Sequence, residues 1–113
     1  MNNGILRFAD RFAALGHEVR LDIVRRLLAA HPEGRVAGEL QLDLDIPAST
    51  LSHHLDALRQ AGLVEQRREG RFLRYRAVTS AIQEISSFLS DECRVHGMGI
   101  EGSAADHRLS AAS

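Results

Sequence analysis

The chain has 113 residues, of which 44% are hydrophobic and 26% charged, which is the size and composition of one globular domain and not of a disordered or fibrous protein. Its one cysteine, Cys93, excludes an intrachain disulfide, and no apolar run approaches the ~20 residues that cross a bilayer, so we expect a cytoplasmic protein that does not contact membranes. The net charge of −1 is unevenly spread, because residues 59–76 carry six arginines against two glutamates.

Apolar residues at helical spacing predict four helices in the first part of the chain. The first covers residues 4–15, the second 17–30, and a short third helix covers 36–44. The fourth lies in the segment 47–62, where Gly62 follows the last turn. Because only a short break separates the third and fourth helices, the pair is predicted to be a helix-turn-helix.

Two strands and a last helix follow. The strands 63–68 and 71–78 are predicted from alternating side chains, and Gly70 suits the tight turn between them because glycine tolerates a positive φ. The last helix begins at Thr79 or Ser80. This order of elements predicts a mainly α fold, a winged helix-turn-helix with about five helices and a two-stranded β-hairpin wing.

The composition changes near Gly97, after which the chain is small, polar and without pattern. No repeat or internal linker precedes that point. We therefore expect one DNA-binding and dimerisation domain over 1–96 and a flexible C-terminal tail over 97–113.

The basic stretch falls on the predicted hairpin and the helix end before it. Its arginines are Arg59, Arg67, Arg68, Arg71, Arg74 and Arg76. Because the flanking segments are acidic, this patch is typical of a surface that binds nucleic-acid phosphates. Arg68 and Arg71, at the hairpin tip, are the candidates for phosphate or minor-groove contact. The alternative is a solvated hairpin whose arginines only keep it soluble.

The fourth helix carries short hydrogen-bonding side chains opposite its apolar stripe. Ser49, Ser52 and His53 lie on this face, and hydroxyl and imidazole groups can reach base edges in the major groove of double-stranded DNA. Alternatively, Ser49 or Thr50 caps the helix and His53 is solvated. His54 lies near the apolar stripe, so we interpret it as a packed or hydrogen-bonded structural residue.

The outer two helices carry apolar stripes beyond those that the helix-turn-helix core needs. The stripes are Phe8, Phe12 and Leu15 on the first helix and Ile82, Ile85 and Leu89 on the last. A two-fold homodimer would bury both and set two recognition helices about 34 Å apart, one turn of DNA. The alternative is that both stripes belong to the core of the monomer.

Two long runs make the sequence similar to a known family. FAALGHEVRLDIVRRLL and STLSHHLDALRQAGLVEQRREGRFLRYRA resemble the winged-helix repressors of the ArsR/SmtB family over about 8–92. The resemblance implies a homodimeric, operator-binding transcriptional repressor whose first and last helices form the dimer interface. An effector releases such repressors, often a metal or metalloid ion and sometimes a redox or sulfur species. The matching DNA-contact positions are Ala48, Ser49, Thr50, Ser52 and His53, and Ala48 stands where many relatives carry Gln.

The effector sites of the family are only partly present. The stretch 39–43, which matches a Cys-x-Cys arsenic or cadmium site, has no thiol, and His96 alone remains of the zinc pattern on the last helix. A similar subset ends this helix in a Cys-Cys pair with a third Cys in the tail, whereas here Arg94 follows Cys93 and the tail has no cysteine. A three-thiolate arsenite site therefore cannot form within one chain.

Three interpretations of Cys93 and His96 stay open. The two residues from each of two subunits form a four-ligand, zinc-like centre, or the Cys93 thiolate alone responds to an oxidant or a thiophilic metal, or the thiol has no function. No cofactor is assigned with certainty on this basis.

Two other functional classes follow from the same pattern. A winged-helix module that binds a protein partner, or a regulator without an effector, is the alternative function. An enzyme that uses Cys93 with His96 is not expected, because the sequence has no Gly-rich phosphate loop and no acid–base pair.

Overall fold

A computed structural model describes residues 3–95, which form five helices and three strands. The helices are α1 (Asn3–Leu15), α2 (Glu18–Ala29), α3 (Ala37–Leu44), α4 (Ala48–Gln60) and α5 (Thr79–Val95). The strands are β1 (Arg35–Val36), β2 (Val64–Glu69) and β3 (Phe72–Ala77). The predicted winged helix-turn-helix is confirmed. The predicted tail, 97–113, lies outside the described residues.

The described residues fall into two compact units, divided between Ile82 and Gln83 within α5. The first unit has its core between α2, α3, α4 and the start of β2. The side chains that are almost completely buried there are Ile23, Leu27, Leu40, Leu55, Leu58 and Leu63. Each such side chain contributes about 1.5–3 kcal/mol through its burial, so this core fixes where α4 lies.

The turn between α3 and α4 depends on one residue in the left-handed region. Asp45 has φ 53° and ψ 52°, and its N–H donates to the Gln41 carbonyl over 2.9 Å. Asp and Asn tolerate this region better than most residues with a Cβ. Pro47 then precedes α4 with an extended ψ of 150°, so the helix begins one residue later than its sequence predicts.

The wing hairpin belongs to a three-stranded antiparallel sheet in the order β1-β3-β2, and its third strand was not anticipated. Val36, predicted to lie in the third helix, pairs with Arg74 in the sheet instead, and its N–H donates to Glu39 Oε1 over 3.1 Å. Two residues are too few to show the alternation that predicts a strand. Gly34, with φ +74°, makes the pairing possible, because a Cβ there would lie 2.1 Å from the Tyr75 carbonyl oxygen.

The wing turn lies one residue later than the sequence predicts, because strands at 63–68 and 71–78 would leave Glu69 and Gly70 as the turn. Glu69 pairs with Phe72, which leaves Gly70 and Arg71 as a two-residue turn, and Gly70 has φ +62°. A positive φ at the first central position is the pattern of a type II′ turn. The turn places Arg71 at the far tip of the wing.

Candidate nucleic-acid interface

The polar face of α4 is exposed along its first two turns. The predicted contact residues on it, all exposed, are Ala48, Ser49, Thr50, Ser52 and His53. The N-cap residue of the helix is Pro47, with no side-chain capping bond, so neither Ser49 nor Thr50 serves as the cap. Within the described residues, the hydroxyls of Ser49, Thr50 and Ser52 make no hydrogen bond to protein. These groups are therefore available to an external partner, although contact with DNA stays a prediction.

The opposite side of α4 is fixed by burial and by one hydrogen bond from α2. His54 is only 6% exposed, and its Nδ1 accepts a hydrogen bond from Arg20 Nε over 3.1 Å. The His17 ring lies 4.6 Å from the His54 ring, centroid to centroid. Burial lowers the pKa of His54, and the neighbouring His17, Arg20 and His53 lower it further. The interpretation of His54 as a packed, hydrogen-bonded residue is confirmed.

Four of the six arginines in the basic stretch form ion pairs within the chain. Arg74 Nε lies 2.8 Å from Glu69 Oε1, and Arg67 lies 3.7 Å from the same carboxylate. The other two pairs, Arg76–Glu65 and Arg59–Asp56, measure 2.9 and 3.3 Å. The hydrogen bond from Arg74 holds the pKa of Glu69 below its usual value. Glu69 therefore stays ionised and neutralises positive charge next to the turn of the hairpin.

The remaining two arginines are those at the wing tip. Arg68 and Arg71 are exposed, and no carboxylate in the described part of the chain lies within ion-pair distance of either. The Arg71 guanidinium carbon lies 5.5 Å from the centroid of the Phe72 ring. The arginines without a carboxylate partner in the described residues thus lie on either side of Glu69 and Gly70, at the turn end of the hairpin.

Sequence analysis missed Arg11, which supports α4 from α1. Arg11 is 8% exposed, and its Nε donates to the Ala61 carbonyl, at the end of α4, over 3.2 Å. The sequence does carry a signal for this role, because Arg11 is a charged residue on the helical face that carries Phe8 and Leu15. A charged residue within an apolar face predicts a buried partner.

The apolar stripes proposed for dimerisation are partly exposed in the single chain. In the first unit, Phe12 is 38% exposed, and Phe8, Leu15 and Ile82 are intermediate. In the second, Leu89 is 50% exposed and Ile85 is buried, at 6%. Ile5 and Leu6 add further exposed apolar surface to α1, at 44% and 51%. Their use as a dimer interface stays a prediction.

Of the two candidate effector residues, the structure describes only Cys93. Cys93 is an exposed free thiol in α5, and His96 lies outside the described residues. Among residues 3–95, no three His, Cys, Asp or Glu side chains group in a way that would hold a metal ion. The described residues of one chain therefore do not fit the metal sites that the family implies. No helix in this part of the chain is long and apolar enough to cross a membrane.

The helices α3 and α4, followed by the β2–β3 wing, define a winged helix-turn-helix fold, which is typical of DNA-binding proteins. A family model described as a helix-turn-helix domain matches residues 15–67. An uncharacterized HTH-type transcriptional regulator from Methanocaldococcus jannaschii is 35% identical over 83 residues, covering 74% of this chain and 91% of the relative. An ArsR-like transcriptional regulator from Rhodococcus sp. RHA1 is 30% identical with a TM-score of 0.70, covering 97% of this chain and 92% of that one.

A third match is a homodimeric winged helix-turn-helix DNA-binding domain from Mycobacterium bovis, described as a possible ArsR-family transcriptional regulator. It is 28% identical with a TM-score of 0.63, and the match covers 81% of this chain and 82% of that one. The chain belongs to the ArsR family of winged helix-turn-helix transcriptional regulators. It is a DNA-binding regulator and not an enzyme.

Proposed function

We propose that the protein is a homodimeric repressor that binds a palindromic operator and leaves it when an effector acts. The observation that carries the proposal combines the exposed polar face of α4 with Arg68 and Arg71, which have no carboxylate partner among the described residues. The cytoplasmic location expected from the sequence is part of this proposal.

The polar face of α4 and the tip of the wing have different roles in this proposal. Ser52 and His53 on α4 read base edges in the major groove, because their hydrogen-bonding groups are exposed and uncommitted. Arg68 and Arg71 bind phosphates or enter the minor groove, which orients the protein without reading the sequence in the major groove. Ala48 offers no side-chain hydrogen bond, so discrimination depends on the residues that follow it.

The two-fold symmetry of a dimer would match the symmetry of a palindromic operator. The exposed apolar side chains of α1, including Phe12, and Leu89 on α5 are candidates for burial between two copies. The similar domain from Mycobacterium bovis is homodimeric, which supports this assembly. In a two-fold dimer the recognition helices face half-sites about 34–36 Å apart, one turn of DNA.

Release by an effector is assigned to Cys93, the exposed thiol of α5. Oxidation of two Cys93 thiols to an intersubunit disulfide transfers two electrons to the oxidant and releases two protons, and it requires Cα atoms within about 7 Å. Such a link would change the angle between protomers and so the spacing of the recognition helices. Arsenite is expected to be a weak effector, because a three-thiolate site lacks two of its members. An effector-independent regulator is the alternative.

The experiment is transcription in vitro from a promoter that overlaps a duplex selected by the protein from a random pool. Repression in proportion to occupancy, with two chains bound for each site by sedimentation, is the expected result. Activation, or binding by a single chain, would contradict the proposal. Failure to bind any duplex would favour a module that binds a protein partner.

A further inference from the structure

Two arginines on other helices donate hydrogen bonds to α4, and neither is among the residues proposed to read bases. Arg20 on α2 donates to His54, in the middle of α4. Arg11 on α1 donates to the carbonyl of Ala61, the C-cap residue of α4. Ser49 and Ser52 lie beyond both supports, in the N-terminal half of the helix, so their positions depend on the angle at which α4 is held.

The contact of Arg11 suits the end of a helix. A guanidinium near the last carbonyls interacts favourably with the negative end of the helix dipole. Gly62, directly after the helix, would carry a Cβ 3.6 Å from Arg11 Nη2, so the guanidinium packs closely against the chain there. Because Arg11 is 8% exposed, this contact belongs to the interior and is not available to DNA phosphates.

A small change at this end of α4 is magnified at the other end. Twelve residues separate Ser49 from Ala61, which at 1.5 Å per residue is about 18 Å. A tilt of about 5° around the Ala61 end therefore moves Ser49 by about 1.6 Å, enough to break a hydrogen bond to a base edge. The sequence neighbour of Arg11 is Phe12, one of the candidates for the subunit contact.

We propose that Arg11 is a positioning residue that fixes the tilt of α4 against α1 and so keeps the residues that read bases in place. The inference rests on the proposed function, because it concerns how a dimeric DNA reader keeps its helix in register. It predicts that loss of Arg11 reduces the discrimination between DNA sequences, while the attraction to DNA in general is retained.

The test compares Arg11→Met and Arg11→Lys with Arg25→Met in the full-length protein. Arg25 is the matched control, because it is an arginine on a neighbouring helix whose side chain is 73% exposed and pairs with Asp22. Affinities for a selected operator and for a scrambled duplex of the same length are measured by fluorescence anisotropy at several salt concentrations. Circular dichroism fixes a temperature at which each variant is folded.

Arg11→Met is expected to bind the operator about tenfold more weakly, the scale of one lost base contact. Its affinity for the scrambled duplex and its salt slope should match the wild type, since Arg11 touches no phosphate. Arg11→Lys, which keeps a charged donor, should recover part of the discrimination, and Arg25→Met should keep all of it.

If Arg11→Met keeps the wild-type ratio of operator affinity to scrambled-duplex affinity, the role of Arg11 is refuted, while the proposed function is not affected. An equal fall on both duplexes with a flatter salt slope would also refute that role, because Arg11 would then be a phosphate contact. If Arg11→Met does not fold, Arg11→Ala, which has no side-chain donor for the carbonyl, carries the same expectation and the same refutation. A wild-type protein that binds no duplex would refute the proposed function itself.

Discussion

Replacement of Arg71 by alanine should flatten the salt dependence of DNA binding more than the same replacement of Arg67. Both arginines are exposed and lie on the wing, but Arg67 has Glu69 at 3.7 Å, whereas Arg71 has no carboxylate partner in the described chain. A cation already paired with a carboxylate displaces fewer counterions from DNA. The pairing pattern thus predicts which arginine binds phosphate, although both changes remove one charge per chain.

The magnitude follows from counterion release. Each phosphate contact contributes about 0.9 to the slope of log affinity against log salt, and a dimer loses two contacts for each substitution, so Arg71→Ala should change the slope by about 1.8. Between 50 and 200 mM salt, the affinity of this variant should then fall about twelvefold less than that of the wild type. Arg67→Ala should change the slope by well under half as much.

The assay is a salt titration of binding to one duplex, followed by fluorescence anisotropy for the wild type and both variants. Circular dichroism confirms that each variant is folded to the same extent. Equal changes of slope for Arg67→Ala and Arg71→Ala would refute the reasoning, because intramolecular pairing would then not decide which cations reach DNA. A wild-type affinity that does not change with salt would show that the protein makes no phosphate contacts at all.

Further predictions concern base reading, dimerisation, pH and the thiol. Ser52→Ala should reduce discrimination between an operator and its single-base variants by about 1–3 kcal/mol; a uniform loss across all duplexes would make Ser52 a phosphate anchor instead. Phe12→Arg places a charge in the subunit contact and should give monomers with weak operator affinity in sedimentation, whereas a stable dimer would assign this stripe to the monomer core. Burial lowers the pKa of His54. As the pH falls, His54 therefore becomes protonated in the unfolded chain before it does in the folded chain. The free energy of unfolding should therefore decrease as the pH falls below about 6.5, by up to about 1.4 kcal/mol per pH unit, until the folded-state pKa is reached. His54→Asn, which keeps an acceptor for Arg20, should remove this dependence, and its persistence would place the responsible group elsewhere. Cys93→Ser should abolish operator release by an oxidant or mercury, and identical behaviour of the two proteins would exclude the thiol as the switch.

The helices and the glycine of the wing turn were predictable because their signals are local. The apolar stripe of α4 and the positive φ of Gly70 follow from residues within a few positions of each other. The strand β1 was not predictable, since two residues show no alternation and their partner is distant in sequence. Its pairing with β3 depends on the close approach of Gly34 to Tyr75, which only the folded chain reveals.

The candidate interface also has features that the sequence predicts and features that require the folded structure. The exposed face of α4 follows from the position of its apolar stripe. The ion pair between Glu65 and Arg76 does not follow, because the predicted turn at 69–70 would place Arg74 opposite Glu65. The contact of Arg11 with Ala61 does not follow, because it depends on how α1 crosses the end of α4. Local patterns thus predict which side chains face outward, while the supports behind them require the tertiary structure.

The central claim is that the polar face of α4 reads DNA sequence, and selection from a random duplex pool tests it most directly. The wild type is compared with a variant in which Ser49, Ser52 and His53 are all replaced by alanine. The wild type should enrich a two-fold symmetric site with half-site centres about 10 base pairs apart, while the variant should still bind DNA but enrich no sequence. A wild-type pool that remains random, or a variant that enriches the same site, would contradict the claim.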